Sequence, residues 1–91
     1  MSTVRIPPVL RASAGDQKQL QVAGDTVGGV LETLIAQYPA LRGQLLSAEG
    51  GLHRFVNVYL NDQDVRYLDA LATKVGEADT ITILPAMAGG A

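Results

Sequence analysis

The sequence predicts an α+β domain in which one main helix crosses one face of a mixed sheet of about five strands. Three observations carry that expectation. A single sustained apolar stripe, Val27, Val30, Leu31, Leu34, Ile35 and Tyr38, recurs at three- and four-residue spacing, the pattern of one buried helix face. Segments of alternating polarity stand on both sides of it, and period-two alternation marks strands with one covered face. The 91 residues are 47% hydrophobic and 18% charged, with no cysteine. One small core must therefore hold by packing alone, and two packed layers bury both a helix stripe and a sheet face.

Taken in order, Thr3-Val4-Arg5-Ile6 alternates with Val4 and Ile6 on one face. Pro7-Pro8 interrupts that strand, because proline lacks the amide hydrogen a ladder needs. Gly15-Asp16 signals a turn within a connection longer than a tight hairpin. Gln17 to Val22 follows as a second strand with Leu20 and Val22 inward, so the opening unit reads as an antiparallel hairpin. Asp25 or Thr26 supplies the helix start by accepting hydrogen bonds from unpaired first-turn amides, and Pro39 stops the helix. Gly28 and Gly29 match neither a Walker loop nor a dinucleotide fingerprint, and no lysine follows. Close packing of helix on sheet is the expected reason for them.

Leu41 to Leu46 reads as a short helical turn and Ser47 to Gly51 as a loop. Phe55 to Leu60 is the clearest strand in the chain, turned by Asn61-Asp62 into a short partner, Gln63 to Arg66. Asp69 to Val75 fits a brief helical segment, Gly76 to Asp79 a turn, and Thr80 to Leu84 a final strand with Ile81 and Ile83 inward. First and last strands lying parallel and side by side complete a ubiquitin-like β-grasp fold. The elements rest on periodicity, whereas this pairing is inferred from topology.

Composition removes several classes of function. The net charge is −2 and no lysine-arginine cluster exists, so no nucleic-acid footprint is expected. No apolar run approaches membrane-spanning length and Met1 to Arg5 lacks a signal-peptide stretch, which points to a cytoplasmic protein with no membrane partner. Without cysteine there is no disulfide, thiolate metal site or thiol nucleophile. His53 is the only histidine, which leaves it a poor metal ligand without a triad partner. Asp62, Asp64 and Asp69 match no calcium loop, and Ser2, Ser13 and Ser47 stand in no nucleophile-elbow context. An independent enzyme, a bound cofactor and a metal are all unexpected.

What remains is the tail. The reading divides the chain into a domain over 1–85 and a flexible tail over 86–91, Ala86-Met87-Ala88-Gly89-Gly90-Ala91. Glycine without a Cβ neither fills a core nor supports a helix, but it passes through a tunnel too narrow for side chains. Six extended residues reach about 20 Å, enough to enter a partner's cleft. Taken alone, such a tail reads as a frayed end; the body it is attached to reverses that order.

Three stretches together resemble the MoaD/ThiS family of ubiquitin-like sulfur carriers. They are Ile83-Leu84-Pro85-Ala86-Met87-Ala88-Gly89-Gly90, the helix opening Gly24-Asp25-Thr26-Val27, and the run from Leu52 through Phe55-Val56-Asn57-Val58-Tyr59-Leu60 to Arg66. The last is similar to the branch of the family that serves a cysteine synthase. The resemblance covers nearly the whole chain. It implies that a ubiquitin-activating-type adenylyltransferase/sulfurtransferase spends ATP to adenylate a C-terminal glycine carboxylate, and that sulfur then replaces AMP to leave a thiocarboxylate. It implies a client cysteine synthase holding an activated serine derivative on pyridoxal phosphate; molybdopterin, thiamin or a thio-containing secondary metabolite are alternative destinations. On this reading Gly90 is the reacting residue and Gly89 gives clearance. Ala91 departs from the family pattern. Either a peptidase, with a JAMM-type metallopeptidase as the candidate, removes it first, or the activating enzyme tolerates a terminal alanine. Trimming is the favoured expectation, because a Cβ beside the reacting carboxyl crowds a tunnel shaped for glycine.

If Val56, Val58 and Leu60 face the helix, alternation sends Phe55, Asn57 and Tyr59 to the other sheet face, with Arg5, Gln21, Thr82 and Leu84. Phe55, Tyr59 and Leu84 then form an apolar patch at the base of the tail. Pro85 and Met87 are further expected partner contacts, and Arg5, Arg54 and Arg66 supply a charged rim, with ordinary solvated surface charge as the alternative. Against this stand scattered surface hydrophobes, or a one-residue register slip that buries all three. A ubiquitin-like modifier that conjugates to lysines, or a plain interaction module, is the competing function.

Overall fold

The computed structural model describes residues 1–47, 51–53 and 56–85. Its strands are β1 (Ser2–Arg5), β2 (Gln19–Val22), β3 (Val56–Leu60), β4 (Gln63–Asp64) and β5 (Thr80–Pro85). Its helices are α1 (Pro8–Arg11), α2 (Val27–Gln37) and α3 (Arg42–Leu45). The sheet order is β2-β1-β5-β3-β4. β1 pairs antiparallel with β2 and parallel with β5, and β3 runs antiparallel to both β5 and β4. This is the ubiquitin-like β-grasp, with the first and last strands side by side as topology suggested.

Helix α2 begins where Thr26, in extended conformation, accepts from the Gly29 amide through its hydroxyl at 3.0 Å, which settles the choice between Asp25 and Thr26. It ends at Gln37, because the residue preceding Pro39 is pushed out of helical conformation. Its stripe of Val27, Val30, Leu31, Leu34 and Ile35 is buried against Val4, Ile6, Val22, Val56, Val58, Ile81 and Ile83 from one sheet face. Leu10, Ala14, Leu41, Leu45 and Leu46 close the core at one end. Among the described residues no helix is long and apolar enough to cross a membrane.

Five local expectations are corrected. Pro7-Pro8 ends β1 but also starts a helix, with Pro8 in the first turn and Leu10 buried beneath it; proline is at home there because its missing amide hydrogen has no helical partner. The second strand begins at Gln19 instead of Gln17, and Leu20 is only partly buried. The strand expected to reach Arg66 stops at Asp64, whose carboxylate accepts from the Arg66 amide at 2.9 Å and turns the chain into a 3₁₀ segment, Val65–Tyr67. Gly28 serves a close approach, but not to the sheet. A Cβ there would lie 3.1 Å from the Leu71 carbonyl oxygen and 3.2 Å from the Leu71 Cβ, in the 3₁₀ turn Ala70–Ala72 that replaces the expected helical segment.

Candidate functional site

β5 ends at Pro85, the last described residue before the Gly-Gly segment, and the strand's last two residues point to opposite sides. Leu84 is cross-strand from Asn57 and Pro85 from Val56. Since Ile81, Ile83 and Val56 are buried in the core, alternation turns Leu84 and Asn57 to the open sheet face and Pro85 to the helix side. Leu84 is 42% exposed, one of the few large apolar side chains so exposed among the described residues.

Ladder register sets the neighbours of Leu84. Arg5 pairs with Thr82, Thr82 with Tyr59 and Tyr59 with Asp64, so these four lie in one row across β1, β5, β3 and β4. Leu84 and Asn57 form the next row towards the tail. Arg5, Gln21, Tyr59, Thr82 and Leu84 therefore share a face, as alternation indicated. Tyr59 is partly covered, so Leu84 carries more of the exposed apolar surface than an equal partnership would suggest. At the far edge the Gln21 side-chain amide donates to the Thr3 hydroxyl at 2.7 Å. Phe55, Arg54, Met87, Gly89, Gly90 and Ala91 lie outside the described residues.

Arg66 is the residue whose placement the sequence understated. Sequence pattern places it at the end of a strand and on a charged rim. Instead, the Asp64 cap bends the chain back, and the guanidinium returns over β3. There Nη1 donates to Asn57 Oδ1 and Nη2 to the His53 carbonyl, each at 2.9 Å. The charge is thus fixed beside Asn57, opposite Leu84. A sequence signal for this existed in Asp64-Val65-Arg66, an Asx-type turn read as strand.

Pro85 belongs to a different surface. With Val9, Leu10, Gly43, Gln44, His53 and Val56 it lines a mainly apolar groove of about 270 Å³ on the helix side of the sheet end. This groove depends on α1 and was invisible without it.

Elsewhere one carboxylate has a clear structural duty. The Asp79 carboxyl is held below the usual carboxylate range, first by the Gly76 amide at 2.8 Å and then by the Asn61 side-chain amide at 3.3 Å. It stands just before β5 begins, at the opposite end of the strand from the tail. Among the described residues no group of three or more histidine, aspartate or glutamate side chains is arranged to hold a metal.

The comparisons with known proteins agree on one family. The model of the ThiS family matches residues 4–90. The sulfur carrier protein CysO of Mycobacterium tuberculosis is 49% identical over 90 residues, covering 97% of each chain. The crystal structure of the same organism's CysO superposes with a TM-score of 0.89 at 46% identity, covering 96% of this chain and all of that one. A chain of the Amycolatopsis orientalis BexX/CysO complex gives a TM-score of 0.90 at 41% identity, covering 99% of this chain and all of that one. Small archaeal modifier protein 3 of Haloferax volcanii is 40% identical over 65 residues, covering 71% of this chain and 70% of its own. A family match over nearly the whole length, on the β-grasp its members share, means that this chain belongs to the ThiS family.

Proposed function

We propose that the protein is a sulfur carrier, a co-substrate whose C-terminal glycine is activated and loaded by partner enzymes and which is not itself an enzyme. The observation that carries this reading is the continuity of β5 with the Gly89-Gly90 segment in a chain 49% identical to a sulfur carrier protein along almost its full length. Gly90 lies five residues beyond Pro85, a reach of about 17 Å when extended. The body can therefore dock outside an active site while the terminus enters it.

The chemistry balances in three steps. Because Ala91 follows Gly90, hydrolysis of the Gly90–Ala91 bond by a JAMM-type metallopeptidase exposes the Gly90 carboxylate. A carboxylate is a poor electrophile, so the activating enzyme lets its oxygen attack the α-phosphorus of ATP, releasing pyrophosphate and leaving an acyl-adenylate. A hydrosulfide-level nucleophile then adds to the acyl carbon, AMP departs, and the thiocarboxylate remains with loss of one proton. Docking through the open face converts each encounter with the tail into an effectively intramolecular one, and that proximity is the carrier's contribution to rate.

The client that fits best is a cysteine synthase presenting an activated serine derivative on pyridoxal phosphate; molybdopterin, thiamin or a thio-containing secondary metabolite remain as other destinations. Dependence on ATP places the work in the cytoplasm. The likeness to a small archaeal modifier protein favours one second reading, conjugation to protein lysines.

Intact mass spectrometry of the chain recovered from its own cells separates these. Loss of Ala91 with one terminal oxygen replaced by sulfur is the expected result. Isopeptide-linked adducts without a thiocarboxylate would establish the modifier reading. A chain found with Ala91 still attached and no sulfur, under sulfur-replete growth, would overturn both.

A further inference from the structure

From the fixed position of one cation we infer that Arg66 is a preformed receptor for a carboxylate side chain on the activating enzyme. The inference rests on the docking role proposed above for the open sheet face. Surface arginines ordinarily contribute little to binding, because ordering a long side chain offsets a screened attraction. Arg66 differs in being ordered already. Its guanidinium is held at 2.9 Å by Asn57 Oδ1 and at 2.9 Å by the His53 carbonyl. Both acceptors are neutral and no carboxylate among the described residues pairs with the guanidinium. The orientation is therefore set without the charge being met there, and the remaining N–H donors keep the fork geometry that matches a carboxylate.

The surroundings specify the partner. Asp64 shares this face through its pairing with Tyr59, but its Oδ1 accepts from the Arg66 amide, and no ion pair joins it to the guanidinium. Arg5 stands on the far side of β5, one row below Leu84, with no carboxylate partner among the described residues. Leu84 is thus an exposed apolar side chain with a cation on either flank, in a protein of net charge −2. A surface complementary to it carries an apolar seat for Leu84 and an aspartate or glutamate reaching Arg66. Because the guanidinium is off the sheet's midline, this second contact removes the rotational freedom left by a single apolar anchor. Rotation about Leu84 would swing the Gly90 terminus away from the adenylation site, so the contact selects the productive orientation.

The experiment measures association of the full chain with the adenylating enzyme encoded in the same genome, across a range of ionic strength. Arg66→Gln is expected to weaken binding about ten- to a hundredfold and to flatten the dependence of the association rate on salt. Arg66→Lys should fail to restore binding, since an ammonium cannot hold both acceptors and present a fork. Asn57→Ala keeps the charge but releases it, and should cost a few-fold in affinity with the salt dependence retained. Leu84→Asp tests the face itself. If Leu84→Asp abolishes binding while Arg66→Gln leaves affinity and salt dependence within twofold of the parent, the face stands and the receptor is refuted. If neither change matters, the docking role of the face falls as well. Should Arg66→Gln lose its fold, Asn57→Ala decides: unchanged affinity there refutes the receptor.

Discussion

Leu84 and Asn57 oppose each other across the antiparallel β3–β5 ladder, so the last outward side chain before the tail lies beside the amide that holds Arg66. A change at Leu84 should consequently separate recognition from stability. The side chain is 42% exposed and outside the core, so Leu84→Ala should alter unfolding free energy by no more than about 0.5 kcal/mol. It should still lower kcat/KM for adenylation roughly tenfold, the loss typical of a truncated interface anchor. Pyrophosphate release and a urea melt on the same samples check both halves.

Two glycines predict opposite outcomes for the same substitution. At Gly24 a Cβ would fall 2.5 Å from the Val30 amide nitrogen and 2.7 Å from Val30 Cγ2, and helix backbone cannot give way. Gly24→Ala should destabilise by about 1–3 kcal/mol. At Gly43, in α3, a Cβ meets nothing within 4 Å, and alanine should be neutral or stabilising by up to about 1 kcal/mol. Chemical denaturation of the two variants against the parent gives the comparison.

Asp79 makes part of the protein's stability depend on acid. Its carboxylate accepts from the Gly76 amide and the Asn61 side chain, which lowers its folded pKa below the unfolded value near 3.9. For a depressed carboxylate the unfolded state takes up the proton first. The stabilisation is therefore complete above the unfolded pKa and disappears as pH falls through the folded one. Asp79→Asn should lie below the parent at neutral pH and converge with it in strong acid. Denaturation midpoints from about pH 6 down to about pH 2 test the convergence; parallel curves would refute it.

The terminal glycines give a fourth expectation. A chain ending at Gly90 should be adenylated at least about tenfold faster than the same chain with Ala91 retained, and Gly90→Ala in the shortened chain should lose most of that gain. The physical reason is that a Cβ beside the reacting carboxyl displaces it from near-attack geometry. Equal rates for the Gly90- and Ala91-terminated chains would remove the need for trimming.

Much of this architecture is legible because strand and helix periods differ. The positions of Val56, Val58, Ile81 and Ile83 identify the core face, and with it the outward course of Leu84 and Tyr59. Tyr38, last in the helical stripe, is only partly buried because the helix has already ended. The failures arise where one residue type has two structural uses. Pro8 both stops a strand and starts a helix, and the apolar periodicity of a four-residue helix is too short to choose between them. Asp64 extends a strand or caps a turn, and only the tertiary return of Arg66 to Asn57 selects the turn. Gly28 announced a close approach without naming what approaches.

The central position of β5 has a consequence for biosynthesis. The hairpin of β1 and β2 and the hairpin of β3 and β4 each form from neighbouring sequence, but only β5, translated after all of them, joins the two halves. A nascent chain interrupted before residue 80 lacks the strand that unites the sheet and, equally, Gly89 and Gly90, the residues proposed to carry the cargo. On the proposed function, truncated translation products cannot compete for the activating enzyme: the chemistry would become available only on a body that has all the strands it needs to fold.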